Sequence, residues 1–302
     1  MPGKIRQYFR DKKDDVQDYT GGSGVIGKLV VALLVVYLLI TMVLGIYWSS
    51  EPDTFSVRDH TRSLASTMDR EPVTGFATTA TMIRIAETLL DKPGGYISND
   101  IAPPGLWMDN MPNWEYGVLV QLRDLSRAMR KDISRSQSQS AEDPDLTIAE
   151  PQFHFDSESW AIPSTENEYR RGINALKRYL NRLSDPAQAD AQFFARADNL
   201  NNWLADLETR LGSLSRTLSE SVGKASVSDA VANLNPDDPL AEETGGEDVK
   251  TSWTKIDDVF YEARGSAWAL LHIFRAVEVD FRKVLQDKNA MASVKQIIIE
   301  LE

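Results

Sequence analysis

Cysteine is missing from all 302 residues, and with it go disulfides, thiolate nucleophiles and cysteine-held metals or clusters. Histidine is nearly as scarce. His60, His154 and His272 lie too far apart in sequence to form a local ligand motif. Positive charge is also in deficit: 33 Lys and Arg face 45 Asp and Glu, the formal charge is -12 and the sequence pI is about 4.9. No basic patch occurs beyond the N-terminal tail, so no nucleic-acid partner is expected. Walker, Rossmann and Gly-x-Ser-x-Gly patterns are missing, as are the D-x-D-x-D-G calcium loop and the H-E-x-x-H zinc pair. Neither a cofactor nor a metal is therefore expected. Alternating strand patterns never exceed a few residues, and no solenoid-length repeat occurs.

What the chain does have begins with LVVALLVVYLLITMVLGIYW, twenty residues from Leu29 to Trp48 without a charge. At 1.5 Å per residue they cover about 30 Å, one bilayer crossing. The run is longer than the apolar core of a signal peptide and ends in bulky Ile46, Tyr47 and Trp48 rather than small residues, which favours a retained anchor. Lys4, Arg6, Arg10, Lys12, Lys13 and Lys28 precede it, while the twenty residues after it offer only Arg58 and Arg62. That bias predicts a cytoplasmic basic tail, 1–28, and a C-terminal part on the far side. Thr41 and Gly45 form a small-xxx-small pair, a hint that leaves homo-oligomers open. Beyond Lys28 there are 27 basic and 41 acidic residues, a balance of -14 that should keep the remainder soluble.

The rest of the chain is periodic at helical spacing, so the expected fold is all-α: one transmembrane helix followed by an elongated helical bundle. A membrane-proximal helical region, 49–133, contains one helix over Thr74–Asp91 and another over Asn113–Ile133 with Val118, Leu122, Leu125 and Met129 along its seam. Residues 134–163 include the polar run SRSQSQSAEDPD and read as a linker or loop. Thr165 and Glu168 stand at capping-box spacing before a stripe of Tyr169, Ile173, Leu176, Leu180 and Leu183. After the break at Asp185 and Pro186, Phe193, Ala197, Leu200, Leu204, Leu207, Leu211, Leu214 and Leu218 alternate intervals of four and three. Such regularity predicts a coiled-coil-like antiparallel hairpin over 164–222. An acidic flexible loop, 223–251, should precede a long C-terminal helical region, 252–302, with Trp253, Phe260, Leu270, Phe274, Val277 and Phe281 on its seam and a short closing helix over Ala292–Leu301.

One segment looks specialised rather than periodic: GGYISNDIAPPGLWMDNMPNWEYG, Gly94 to Gly117. Tyr96, Trp107, Met108, Met111, Trp114 and Tyr116 are residue types that grip a partner from an exposed groove, and equally types that plug the end of a bundle. Asp100, Asp109 and Glu115 share the segment and would serve a paired-carboxylate hydrolase acting on envelope glycan, with one acid protonated and the other ionised. On the last long helix Arg264 stands beside Gly265 and Ser266, small neighbours that allow close helix approach and a half-buried guanidinium against a carboxylate.

With GGYISNDIAPPGLWMDN, YEARGSAWALLHIFRAVEVDF and KNAMASVKQIIIELE in view, the chain resembles, over its whole length, a family of bacterial inner-membrane proteins known as a domain of unknown function. The resemblance implies a Gram-negative setting and carries over no functional residues. The expected role is that of an inner-membrane-anchored periplasmic interaction or scaffold protein with an envelope protein partner. A membrane-tethered hydrolase using Asp100, Asp109 or Glu115 is the alternative, and a signal-input domain a third, for which the short tail has no room for its own kinase or cyclase.

Overall fold

The charge-free run forms helix α1 (Gly24–Trp48) in the computed structural model, which describes residues 24–135, 141–188, 190–221 and 256–302. The chain divides into two units, Met1–Trp48 and Ser49–Glu302. In the first, Val31, Leu33, Leu39 and Val43 are all exposed. A helix apolar on every side has no face to offer water, and by length and composition Ile26–Trp48 can cross a membrane.

In the second unit the described residues form helices and no strand: α2 (Val57–Thr67), α3 (Phe76–Asp91), α4 (Asn110–Ala128), α5 (Leu146–Phe153), α6 (Thr165–Ser184), α7 (Ala197–Ser221), α8 (Ile256–Asp280), α9 (Arg282–Asp287) and α10 (Met291–Leu301). The all-α expectation holds. α3 is the most enclosed, with Phe76, Ala80, Met82, Ile85, Ala86 and Leu89 buried and α2, α4, α6 and α8 against it. Its Ala and Thr residues let those neighbours close in. The N-terminus of α3 is set by Gly75, at φ +92°, where a Cβ would fall 2.3 Å from the Phe193 ring. Having no side-chain cap of its own, α3 is capped by Asp280 at the end of α8, which accepts from Thr78 N (2.6 Å) and Thr78 Oγ1 (2.7 Å). Burial pushes the Asp280 carboxyl up, and these donors oppose the shift.

α4 and α8 make the most extensive helix pair, and the reason is two glycines. A Cβ on Gly265 would lie 2.0 Å from Trp114 O, and one on Gly117 would lie 2.1 Å from Glu262 O. The backbones touch. α4 ends in a π-helical turn, Met129–Ile133, and the seam Val118, Leu122, Leu125 and Met129 is buried as the spacing predicts.

Elsewhere the structure departs from the sequence reading. Part of the expected linker is α5, packed on α6; Asp143 and Asp145 are buried and receive Arg182 at 2.7 and 2.9 Å, with Arg178 on Asp145 at 2.7 Å. Residues 136–140 of that linker, the loop 223–251, Trp253 and most of the basic tail lie outside the described residues. The coiled-coil hairpin is not confirmed. α6 lies on α5 and α3, whereas α7 lies on α8 and α4. The connection explains why: Tyr179 Oη donates to Gln192 O (2.7 Å), Phe194 N donates to Ile133 O (2.7 Å) and Phe193 packs on Phe281, so the chain is pinned across the bundle before α7 starts. Thr165 is not a cap either. It is the first helical residue, Ser164 precedes it, and its hydroxyl donates to Asp156 O and Ser159 O.

Candidate functional site

The segment Gly94–Gly117 has a buried root and an exposed tip. At the root, Glu115 is 0% exposed and accepts from Ile97 N (2.8 Å), Ser98 N (2.8 Å) and Ser98 Oγ, while Lys92 Nζ sits 2.5 Å from its Oε1. Lys92 also donates to Gly95 O. A charge without water survives only if its lone pairs are met, and here α3, α4 and the start of the loop are tied through one carboxylate. Sequence reasoning missed Lys92, whose place before Pro93 marks it only as a helix end. Tyr96, Met111 and Trp114 are buried as well; Trp114 packs on Trp268 of α8 with ring centroids 5.3 Å apart. Those three members of the expected grip belong to the interior.

The tip is another matter. Trp107 is 61% exposed, and Ile101 and Leu106 stand out beside it in sequence, with Met108 half-buried. A short 3₁₀ turn, Gly105–Trp107, shapes it, closed by Trp107 N donating to Pro104 O (2.9 Å). Asn99 ties the loop to its neighbour by donating to Ser159 O (2.9 Å) and Glu166 Oε2 (3.0 Å). That neighbouring loop carries Trp160 and Ile162, also exposed. Two adjoining loops thus present bulky apolar side chains to solvent, more than scattered surface hydrophobics require.

The three acidic residues have separate roles. Glu115 is fully engaged at the root. Asp109 is exposed and accepts from Asn110 N (2.9 Å), capping α4. Asp100 is half-buried with its carboxyl against Gly105; burial first, then the charges of Glu115 and Glu166, push it up, and Lys92 pulls it down. Tyr116, at the end of the segment, is exposed on another side of α4.

Arg264 finds the carboxylate that its small neighbours suggested. Glu51 meets it in a bidentate pair, Nε–Oε1 2.8 Å and Nη2–Oε2 2.9 Å, with the guanidinium half exposed over the Phe260 ring. A second tie, unforeseen in the sequence, lies further along α8: His272 is fully buried, stacks on Phe55 at 4.0 Å and receives Phe55 N at Nε2 (3.0 Å). An amide N–H only donates, so the ring proton sits on Nδ1, facing Trp268 O at 2.6 Å. Burial holds this imidazole down to about 4. Residues 51–55 are therefore fastened to α8 at two points.

Among the described residues no group of three or more His, Asp or Glu side chains is placed to hold a metal. The family model described as an uncharacterized protein conserved in bacteria, DUF2333, matches residues 22–302. No curated protein and no solved structure matches the chain.

Proposed function

The chain belongs to this bacterial family, DUF2333, and from that premise we propose that it is a membrane-anchored helical interaction or scaffold protein of the cell envelope. In this reading α1 is held in the inner membrane, the basic tail is cytoplasmic, and Ser49–Glu302 works in the periplasm, oriented by the excess of Lys and Arg before the span. The observation that carries it is the contrast within one segment: Ile101, Leu106 and Trp107 are exposed on a loop whose root is fixed by the buried Lys92–Glu115 pair. Exposed Trp and aliphatic side chains on a rigid support are what a protein partner grips at low entropic cost. The hydrolase alternative gains no support, because Glu115 has its oxygens engaged and Asp109 serves as a helix cap.

The test places a photo-crosslinking amino acid at Trp107 or at Trp114 in intact cells. An adduct of defined mass from position 107 and none from 114 is expected; a mass of two chains identifies a second copy as the partner. A blank at 107, or equal yields from both, ends the proposal. A periplasm-active phosphatase fused after Glu302 checks the orientation separately, with activity expected and inactivity contradicting it.

A further inference from the structure

Eight residues outside any helix, 49–56, join α1 to α2, and their attachment to α8 depends on a histidine. Phe55 is half-buried, with its ring stacked on His272 at 4.0 Å, edge-on to His60 of α2 at 5.8 Å and under the Arg84 guanidinium of α3 at 5.7 Å. Its N–H is held by His272 Nε2 at 3.0 Å, and that nitrogen accepts only while it carries no proton. The two histidines differ here. His60 Nε2 lies 3.3 Å from Ala80 O and therefore donates, so a second proton on that ring leaves the bond in place. On His272 a second proton must take Nε2, because Nδ1–H already faces Trp268 O at 2.6 Å. The charges around the ring do not favour an imidazolium. Arg275 stands on α8 itself, paired with Glu302 of α10, and Arg84 lies across Phe55. Carboxylates of the surrounding helices have other partners: Glu115 is held by Lys92, Glu87 by Lys177, Glu278 by Arg58 and Asp280 by Thr78. The second fastening, Glu51 on a half-exposed Arg264, holds little by itself.

We propose that residues 49–56 form an acid-released strap: a proton on His272 Nε2 takes away the acceptor of Phe55 N and sets two N–H groups against each other, so the strap leaves α8 while the bundle stays folded. The stacked Phe55 ring attracts an imidazolium, yet the N–H of that same residue then meets a donor, and a donor left unmet away from water is costly. Burial holds the imidazole down at about 4, and an uncovered ring returns towards 6.5. The closed strap is therefore fully favoured above pH 6.5 and loses its advantage as pH falls towards 4, by up to roughly 60-fold between pH 7 and pH 4.5. Freed, the eight residues become up to about 28 Å of loose chain between α1 and α2. The tip plays no part in this, and failure of the strap leaves the interaction proposal untouched.

Hydrogen exchange on the full chain in uncharged maltoside micelles, corrected for the intrinsic rate at each pH, tests it at pH 7 and pH 4.5. Protection of the Phe55 amide should fall at least tenfold at the lower pH, while the amides of Met82 and Ile85 in α3 keep theirs. His272→Gln, whose oxygen accepts and takes up no proton, should abolish the fall; His60→Gln and Glu51→Gln should retain it. In ¹³C-histidine NMR of the same protein, the signal that His272→Gln removes should titrate well below pH 6.5. The proposal is overturned by a Phe55 amide unprotected at pH 7 or still protected at pH 4.5, or by α3 losing protection alongside it. A fall of equal size in His272→Gln, a fall that His60→Gln or Glu51→Gln abolishes, or a His272 midpoint at or above 6.5 overturns it as well.

Discussion

At the root of the Gly94–Gly117 segment a carboxylate is fully buried and met by an ammonium, two amides and a hydroxyl, while at its tip, a few residues along the chain, Ile101, Leu106 and Trp107 stand more than half exposed. Composition alone suggests the reverse, with the charged residue outside and the apolar ones within. The difference teaches which groups are available for function. A buried charge whose partners are complete has its chemistry used up in holding the fold, whereas an uncovered Trp on a fixed loop still has its burial to gain, roughly 1.5–3 kcal/mol for a large apolar side chain.

The comparison breaks most visibly at the root. Glu115→Ala leaves Lys92 buried without its counter-charge and should cost about 3–5 kcal/mol, read as a fall in the urea midpoint of the full chain in micelles. Restoring much of it with Lys92→Met in the same chain would sharpen the point, since replacing both partners removes the orphan. Next comes pH. His272 is neutral when folded, held down to about 4 from an ordinary 6.5, so the unfolded chain binds a proton that the folded one refuses. Its contribution is complete above pH 6.5 and is lost as pH falls towards about 4, on the order of 3 kcal/mol in all. His272→Gln should flatten that part of the stability–pH profile.

Where α4 meets α8, Gly265→Ala drives a methyl into Trp114 O and should cost about 1–3 kcal/mol, again by denaturation. The smallest effect belongs to the tip: Trp107→Ala should change stability by less than about 0.5 kcal/mol. A larger loss means that Trp107 is structural after all and erases the contrast.

Much of the fold was legible because periodicity reports which face of a helix is apolar. The charge-free run, the seam from Val118 to Met129, and Leu270, Phe274 and Val277 of α8, with Phe281 just past its end, all fall where spacing puts them. Periodicity does not report how much of a seam finds a neighbour. Leu200 and Leu207 of α7 are buried, yet Leu211, on the same stripe, is exposed. Nor does it identify the neighbour, which is why α6 and α7 read as a hairpin although the pinned connection at Gln192–Phe194 sends them to different helices. Helix α5 was hidden by its polar surroundings, because the Asp143 and Asp145 contacts with Arg182 join residues nearly forty apart. At the site, the residue types were right and their disposition was not. Aromatics crowded into one stretch of sequence part company once Trp114 packs on Trp268 and the 3₁₀ turn carries Trp107 outward.

Hydroxyl-radical footprinting of Trp107 and Trp114, in native membranes and again in purified protein, tests the central claim most directly. The account predicts that Trp107 is oxidised readily once purified and is shielded in the membrane, with Trp114 shielded in both. Equal oxidation of Trp107 in the two preparations, or oxidation of Trp114 to the same extent, would contradict it.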